Sequence, residues 1–137
     1  QLVLDRAVGI QQLEELAKKN DEVGKLSKFA LAQTRVEDGR LDEAAVIYKE
    51  LANMPAPIVP KDVLNLELAK IYEKQGKKQE AVDLLFNLVK SASEAKDMDG
   101  KPVPLSPAAQ SAKDKLKELD PEKAKEIPEP APPDLGL

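Results

Sequence analysis

The residues in this chain that could do chemistry are almost all carboxylates and lysines. Its 137 residues include 25 Asp and Glu and 21 Lys and Arg but no His and no Cys. The usual imidazole base, thiol nucleophile and soft metal ligands are therefore missing. Asp97-Met98-Asp99-Gly100 opens like a calcium loop, but the remaining ligands and the closing Glu at the required distance are absent. Asp and Gly in that order predict a turn instead. Glu14-Glu15 and the Glu43/Glu80 pair could act as paired carboxylates, yet the sequence offers no neighbouring base, nucleophile or pocket to shift their pKa values. They read as solvated helix faces. The expectation is a non-enzyme without catalytic residues, cofactor or metal.

Composition narrows the partners. A net charge of −4 and a 3% aromatic content lack the basic stripe and stacking rings of a nucleic-acid binder. Lys113, Lys115, Lys117, Lys123 and Lys125 are interleaved with acids and form no basic patch. No apolar run approaches the ~20 residues that span a bilayer, so no membrane insertion by this segment is expected. A 42% hydrophobic content is enough for one core.

What must position any functional surface is a repeat. Leu31-Ala32, Gly39, Glu43-Ala44, Ile47 and Leu51 recur 37 residues later as Leu68-Ala69, Gly76, Glu80-Ala81, Leu84 and Leu88. Such a period predicts stacked helical hairpins. Leu4-Asp5-Arg6-Ala7 and Ile10 echo Leu41-Asp42-Glu43-Ala44 and Ile47 at the same offset. The chain thus begins at Gln1 inside a repeat, and an upstream part is expected.

The spacing predicts a first helix over 2–19, with Leu2, Leu4, Ala7, Ile10, Leu13 and Ala17 as its apolar residues. A second helix, capped by Asp21, carries Leu26, Phe29, Ala30, Leu31 and Val36 and ends at Gly39. Leu41 to about Met54 returns, and Pro55, Pro57 and Pro60 form a stiff connector. The helix after Pro60 is apolar nearly all round and is the predicted central helix. Gly76-Lys77 repeats the turn before a helix to about Ala95, residues 97–105 form a loop, and Ser106-Pro107 starts a helix with an Ala109, Ala112, Leu116, Leu119 stripe. The organisation expected is 1–20 as a half repeat, 21–96 as two hairpins, 97–105 as a loop, 106–120 as a capping helix and 121–137 as a Pro, Glu and Lys-rich tail. Pro128 to Pro133 should be extended and mostly unpacked.

Ala32, Ala69, Ala44 and Ala81 are small where helices approach closely, and Leu31, Leu68, Tyr48 and Leu85 fill the wider gaps. With Tyr72, these stretches resemble tetratricopeptide repeats over about residues 22–95. The resemblance implies an all-α, right-handed superhelix of antiparallel helix pairs, with about two full repeats, a preceding half repeat and a capping helix. Arg35 departs from it by standing where Tyr72 stands in the second copy, and Lys78 departs by replacing Leu41. Leu51-Ala52 through Pro57-Ile58-Val59-Pro60-Lys61-Asp62-Val63, then Leu68-Ala69, is similar to the carboxy-terminal half of bacterial inner-membrane tetratricopeptide proteins of the ancillary translocon-subunit type. That similarity implies a periplasmic, membrane-anchored domain handling exported proteins, the alternative being a cytoplasmic one.

In tetratricopeptide proteins the first helix of each pair lines the concave wall. Here that wall would hold Phe29, Gln33, Val36 and Glu37 from one hairpin and Leu66, Lys70, Glu73 and Lys74 from the next. The Lys, Arg and Asn set of a carboxylate clamp is not at these places. Phe29, Val36 and Leu66 favour an apolar segment or amphipathic helix as partner. The alternatives are a wall covered by the chain's own next helix, or a homodimer that fills the wall with a second copy.

Overall fold

The structure, a computed structural model, describes residues 2–128, without the side chain of Leu2. Its helices are α1 (Leu2–Leu16), α2 (Glu22–Glu37), α3 (Leu41–Ala52), α4 (Lys61–Lys74), α5 (Lys78–Glu94), α6 (Pro107–Leu119) and α7 (Pro121–Ala124). The described residues are thus all-helical, with no named strand and one isolated bridge between Lys96 and Pro102.

Local chemistry sets the ends. The Asp21 side chain accepts from Gly24 N at 2.9 Å and starts α2. Ser106 Oγ accepts from Ala109 N at 3.0 Å and starts α6 with Pro107 inside its first turn. Each satisfies a helix N–H that has no intrahelical partner. The two hairpin turns are duplicates 37 residues apart. Gly39 sits at φ 74° and Gly76 at φ 77°, in the left-handed region that glycine enters without a Cβ penalty. Gly39 N bonds Val36 O at 3.0 Å and Arg40 N bonds Arg35 O at 2.8 Å; Gly76 N and Lys77 N repeat this on Glu73 O and Tyr72 O at the same distances. These bonds occupy the last carbonyls of α2 and α4 and turn the chain back.

Packing follows the helix pairs, with α2 on α3, α4 on α5, and α3 on α4 and α5 on α6 between them. Ala32, Ala44, Ala69 and Ala81 are at most 2% exposed, so the small residues do lie where backbones approach. One cluster joins Ala32, Ala44, Tyr48 and Leu51 to Leu64, Leu68 and Ile71 of α4. Another joins Leu66 and Ala69 of α4 to Leu85, Val89, Ala109, Ala112, Leu116 and Ile127. Helix α4 feeds both, as its all-round apolar pattern requires.

Several boundaries and one face differ from the sequence reading. Helix α1 ends at Leu16 rather than Lys19, and α3 at Ala52 rather than Met54. On α1, Leu4 and Ala7 are exposed, Ile10 and Leu13 half-buried and only Ala17, just beyond the helix, buried. The supposed tail does not begin at residue 121. Asp120 caps α7 by accepting from Lys123 N at 3.0 Å, and the turn that follows brings Ile127 back into the second cluster. The remainder of the predicted extended stretch, from residue 129, lies outside the described residues.

Candidate protein-binding surface

The wall residues expected from the repeat do not form one open surface. Phe29 is half-buried and meets the Tyr48 ring edge-on, with centroids 6.0 Å apart and planes at 77°. Val36 is half-buried against the same cluster, and Gln33 is exposed between them. Leu66, by contrast, is 7% exposed and packed with Ala109, Ala112 and Leu116 of α6. As an open anchor it must be corrected, because α6 lies over that face of α4. Glu73 is held by Lys115 of α6 at 2.7 Å, and Lys70 by Glu67 one turn away at 3.2 Å. The bond from Glu73 raises the Lys115 pKa.

The repeat register shows how differently the two copies end. Phe29 corresponds to Leu66 and Val36 to Glu73. In the second copy α6 covers both positions, one by apolar contact and one by an ion pair. In the first copy the buried side of α2 is Gly24, Ser27, Leu31, Ala32 and Arg35, which face α1 and α3. On its other side Val23 and Leu26 are 48% and 50% exposed, Ala30 is half-buried and Gln33 is exposed. The spacing of 23, 26, 30 and 33 makes them a single helical stripe, apolar at its first turns and polar after them. The sequence reading listed Leu26 among the apolar residues of α2 without separating it from the packed ones. Its i, i+3 relation to Val23, with both just inside the Asp21 cap, was the signal that could have separated it.

Electrostatics around this stripe are those of structural pairing. Lys28 bridges to Glu50 of α3 at 2.8 Å, and Lys25 Nζ donates to Ala56 O in the connector at 3.1 Å. The carboxylates weighed for chemistry are similarly engaged. Glu14 bonds Arg35 at 3.1 Å, Glu15 bonds Lys18 at 3.1 Å, and Glu43 bonds Arg35 and Arg40 at 3.3 and 2.6 Å. Asp97 Oδ1 accepts from Asp99 N and Lys101 N, both at 2.9 Å, and Gly100 takes φ 78°. The Asp97-Met98-Asp99-Gly100 stretch is therefore a self-bonded turn. The one strongly shifted group, Tyr48, has its pKa pushed up to about 12 by burial, with Glu67 adding to it. It lies in the core, 1% exposed, and faces no open site.

A shallow groove between α4 and α5, about 460 Å³, presents Asn65, Asn87 and Ser91 but brings no titratable cluster together. Among the described residues no helix is long and apolar enough to cross a membrane, and no group of three or more carboxylates could hold a metal ion. Set beside known proteins, the chain matches no family model, no curated protein and no solved structure.

Proposed function

We propose that this chain is a non-catalytic protein-binding module of tetratricopeptide-like architecture that holds the apolar face of a partner helix or extended segment. The observation that carries this is the difference between its two copies. On α4 the face bearing Leu66 and Glu73 is closed by α6, whereas on α2 a different stripe, Val23 and Leu26, stands half exposed one turn apart. A partner helix with apolar residues at i, i+3 or i+4 and i+7 has the spacing to cover them, with Phe29 and Val36 at the edge and Gln33 available for a hydrogen bond. Water leaving these side chains supplies the affinity, at about 25 cal/mol per Å² of apolar surface covered.

The similarity of residues 51–69 to envelope-anchored repeat proteins supports a place on the periplasmic side of a bacterial inner membrane, in the handling or assembly of exported proteins. An apolar stripe suits such clients, whose apolar segments are unpaired before they fold.

The test is fluorescence anisotropy with a labelled peptide of the α6 sequence, residues 106–119, an amphipathic helix already matched to a repeat face. Saturable binding is expected, and Leu26→Ser should abolish it while leaving the helical circular dichroism unchanged. Equal binding by the native and Leu26→Ser proteins would refute a binding role for the stripe. Self-assembly is the second reading, favoured by the exposure of Val3, Leu4 and Val8 on α1. Sedimentation equilibrium over a hundredfold concentration range separates it, because a dimer dissociates on dilution and a monomer does not change.

A further inference from the structure

The joint between α1 and α2 is built differently from the other helix joints. Between α3 and α4 the filling is Tyr48, Leu51, Leu64, Leu68 and Ile71, and between α5 and α6 it is Leu85, Val89, Ala112 and Leu116. Among the described side chains of α1, none belongs to either cluster. Its apolar side chains are exposed in its first half, 82% at Val3, 66% at Leu4 and 52% at Val8, and half-buried at Ile10, Leu13 and Leu16. The loop after it is packed closely, since a Cβ on Gly24 would come within 1.9 Å of Lys19 O.

Charge adds to the half-buried packing of Ile10, Leu13 and Leu16. Arg6 reaches across to the end of α2, 2.9 Å from Asp38 and 3.3 Å from Glu37. In the middle Glu14 takes Arg35, whose side chain is 10% exposed and which also contacts Glu43 of α3. Arg35 Nη1 is buried without a hydrogen-bond partner, a state that costs free energy while the joint is closed and is relieved when water reaches it. In the second copy this position is Tyr72, with Lys49 of the preceding helix 5.6 Å from its ring centre.

We propose that α1 is a hinged arm on α2: it pivots at Ala17–Lys19, is latched at its amino-terminal end by Arg6, and lifts as ionic strength rises to uncover the Leu31 and Arg35 face of α2. The reason is the balance of forces. Exposed ion pairs are screened by salt, whereas apolar packing such as that of α4, α5 and α6 is not weakened by it. Local opening of one helix with the remainder intact is then the lowest-energy excursion available. It makes the second face of α2 accessible independently of the Val23 and Leu26 stripe.

Amide hydrogen exchange of the whole chain tests this, read by mass spectrometry in about 20 mM and about 500 mM sodium chloride, the latter shortening the screening length to about 4 Å. Amides of Leu4–Leu16 are expected to exchange about threefold to tenfold faster in the higher salt, with those of α5 unchanged. Arg6→Gln, which removes the charge facing Glu37 and Asp38, should give the faster rate in low salt and remove most of the salt dependence. Exchange in α1 that is unchanged or slowed by salt would overturn the proposal. So would acceleration shared equally by α5, or an Arg6→Gln protein indistinguishable from the native one.

Discussion

Leu26 and Leu66 offer the sharpest comparison in this molecule, because the same truncation should cost very different amounts at the two places. Leu66 is 7% exposed and sits in a cluster with Ala69, Leu88, Ala109, Ala112 and Leu116. Removing a methine and two methyl carbons there loses their transfer free energy and leaves a cavity between α4 and α6 that two packed helices cannot fully close. Leu66→Ala should destabilise by about 3 kcal/mol, within the usual range of about 2–5 kcal/mol for a buried leucine. Leu26 keeps half of its surface in water, so Leu26→Ala forfeits only part of a transfer term and creates no enclosed void. Its cost should be under about 1 kcal/mol. Urea denaturation followed by circular dichroism at the helix band measures both, with an unchanged m-value showing that the cooperative unit is the same. Against a total stability of about 5–15 kcal/mol, the Leu66 variant should melt roughly 10 °C lower and the Leu26 variant within a few degrees of the native protein. Similar losses at the two positions, or a larger one at Leu26, would refute the assignment of one side chain to the core and the other to the surface.

Two further outcomes follow from the geometry. Gly76→Ala, at φ 77° with open space around its Cβ, should cost about 1–2 kcal/mol through backbone strain alone, and Gly39→Ala about the same, measured by the same denaturation; no loss would mean that the turn can change hand. Tyr48 binds its proton more tightly folded than unfolded, so its contribution is complete below about pH 10 and is lost as pH rises towards about 12, at up to about 1.4 kcal/mol per pH unit. A pH series of melting temperatures should show this fall, and Tyr48→Phe should flatten it; an equal alkaline fall in both proteins would point elsewhere.

The positions that set the architecture are those whose requirements are local. Gly39 and Gly76 could be recognised as turns because only a residue without a Cβ takes that conformation cheaply, and Asp21 and Ser106 as caps because their side chains reach a nearby N–H. The four alanines were legible because repetition at 37 residues marks close contact without any knowledge of what makes it. Ile127 was not legible, because whether a lone isoleucine among Pro, Glu and Lys is packed depends on where α7 aims the chain.

The candidate surface divides along the same line. Periodicity determined by itself that the chain is built of helix pairs and that α4 is covered on several sides. Which half-apolar face remains open was decided only by tertiary structure. Leu66 and Leu26 are both leucines on the first helix of a pair, and only the place of Leu26 beside Val23 at the helix start hints at the difference. Their exposure differs because α6 folds back on α4 over Leu66, whereas half of Leu26 stays in water. The same holds for Arg35 and Tyr72, equivalent in register, where the preceding helix offers a carboxylate to one and an ammonium to the other. A sequence specifies what each helix face can tolerate; burial is a property of the pair of faces that meet, and it is fixed only when the chain has folded.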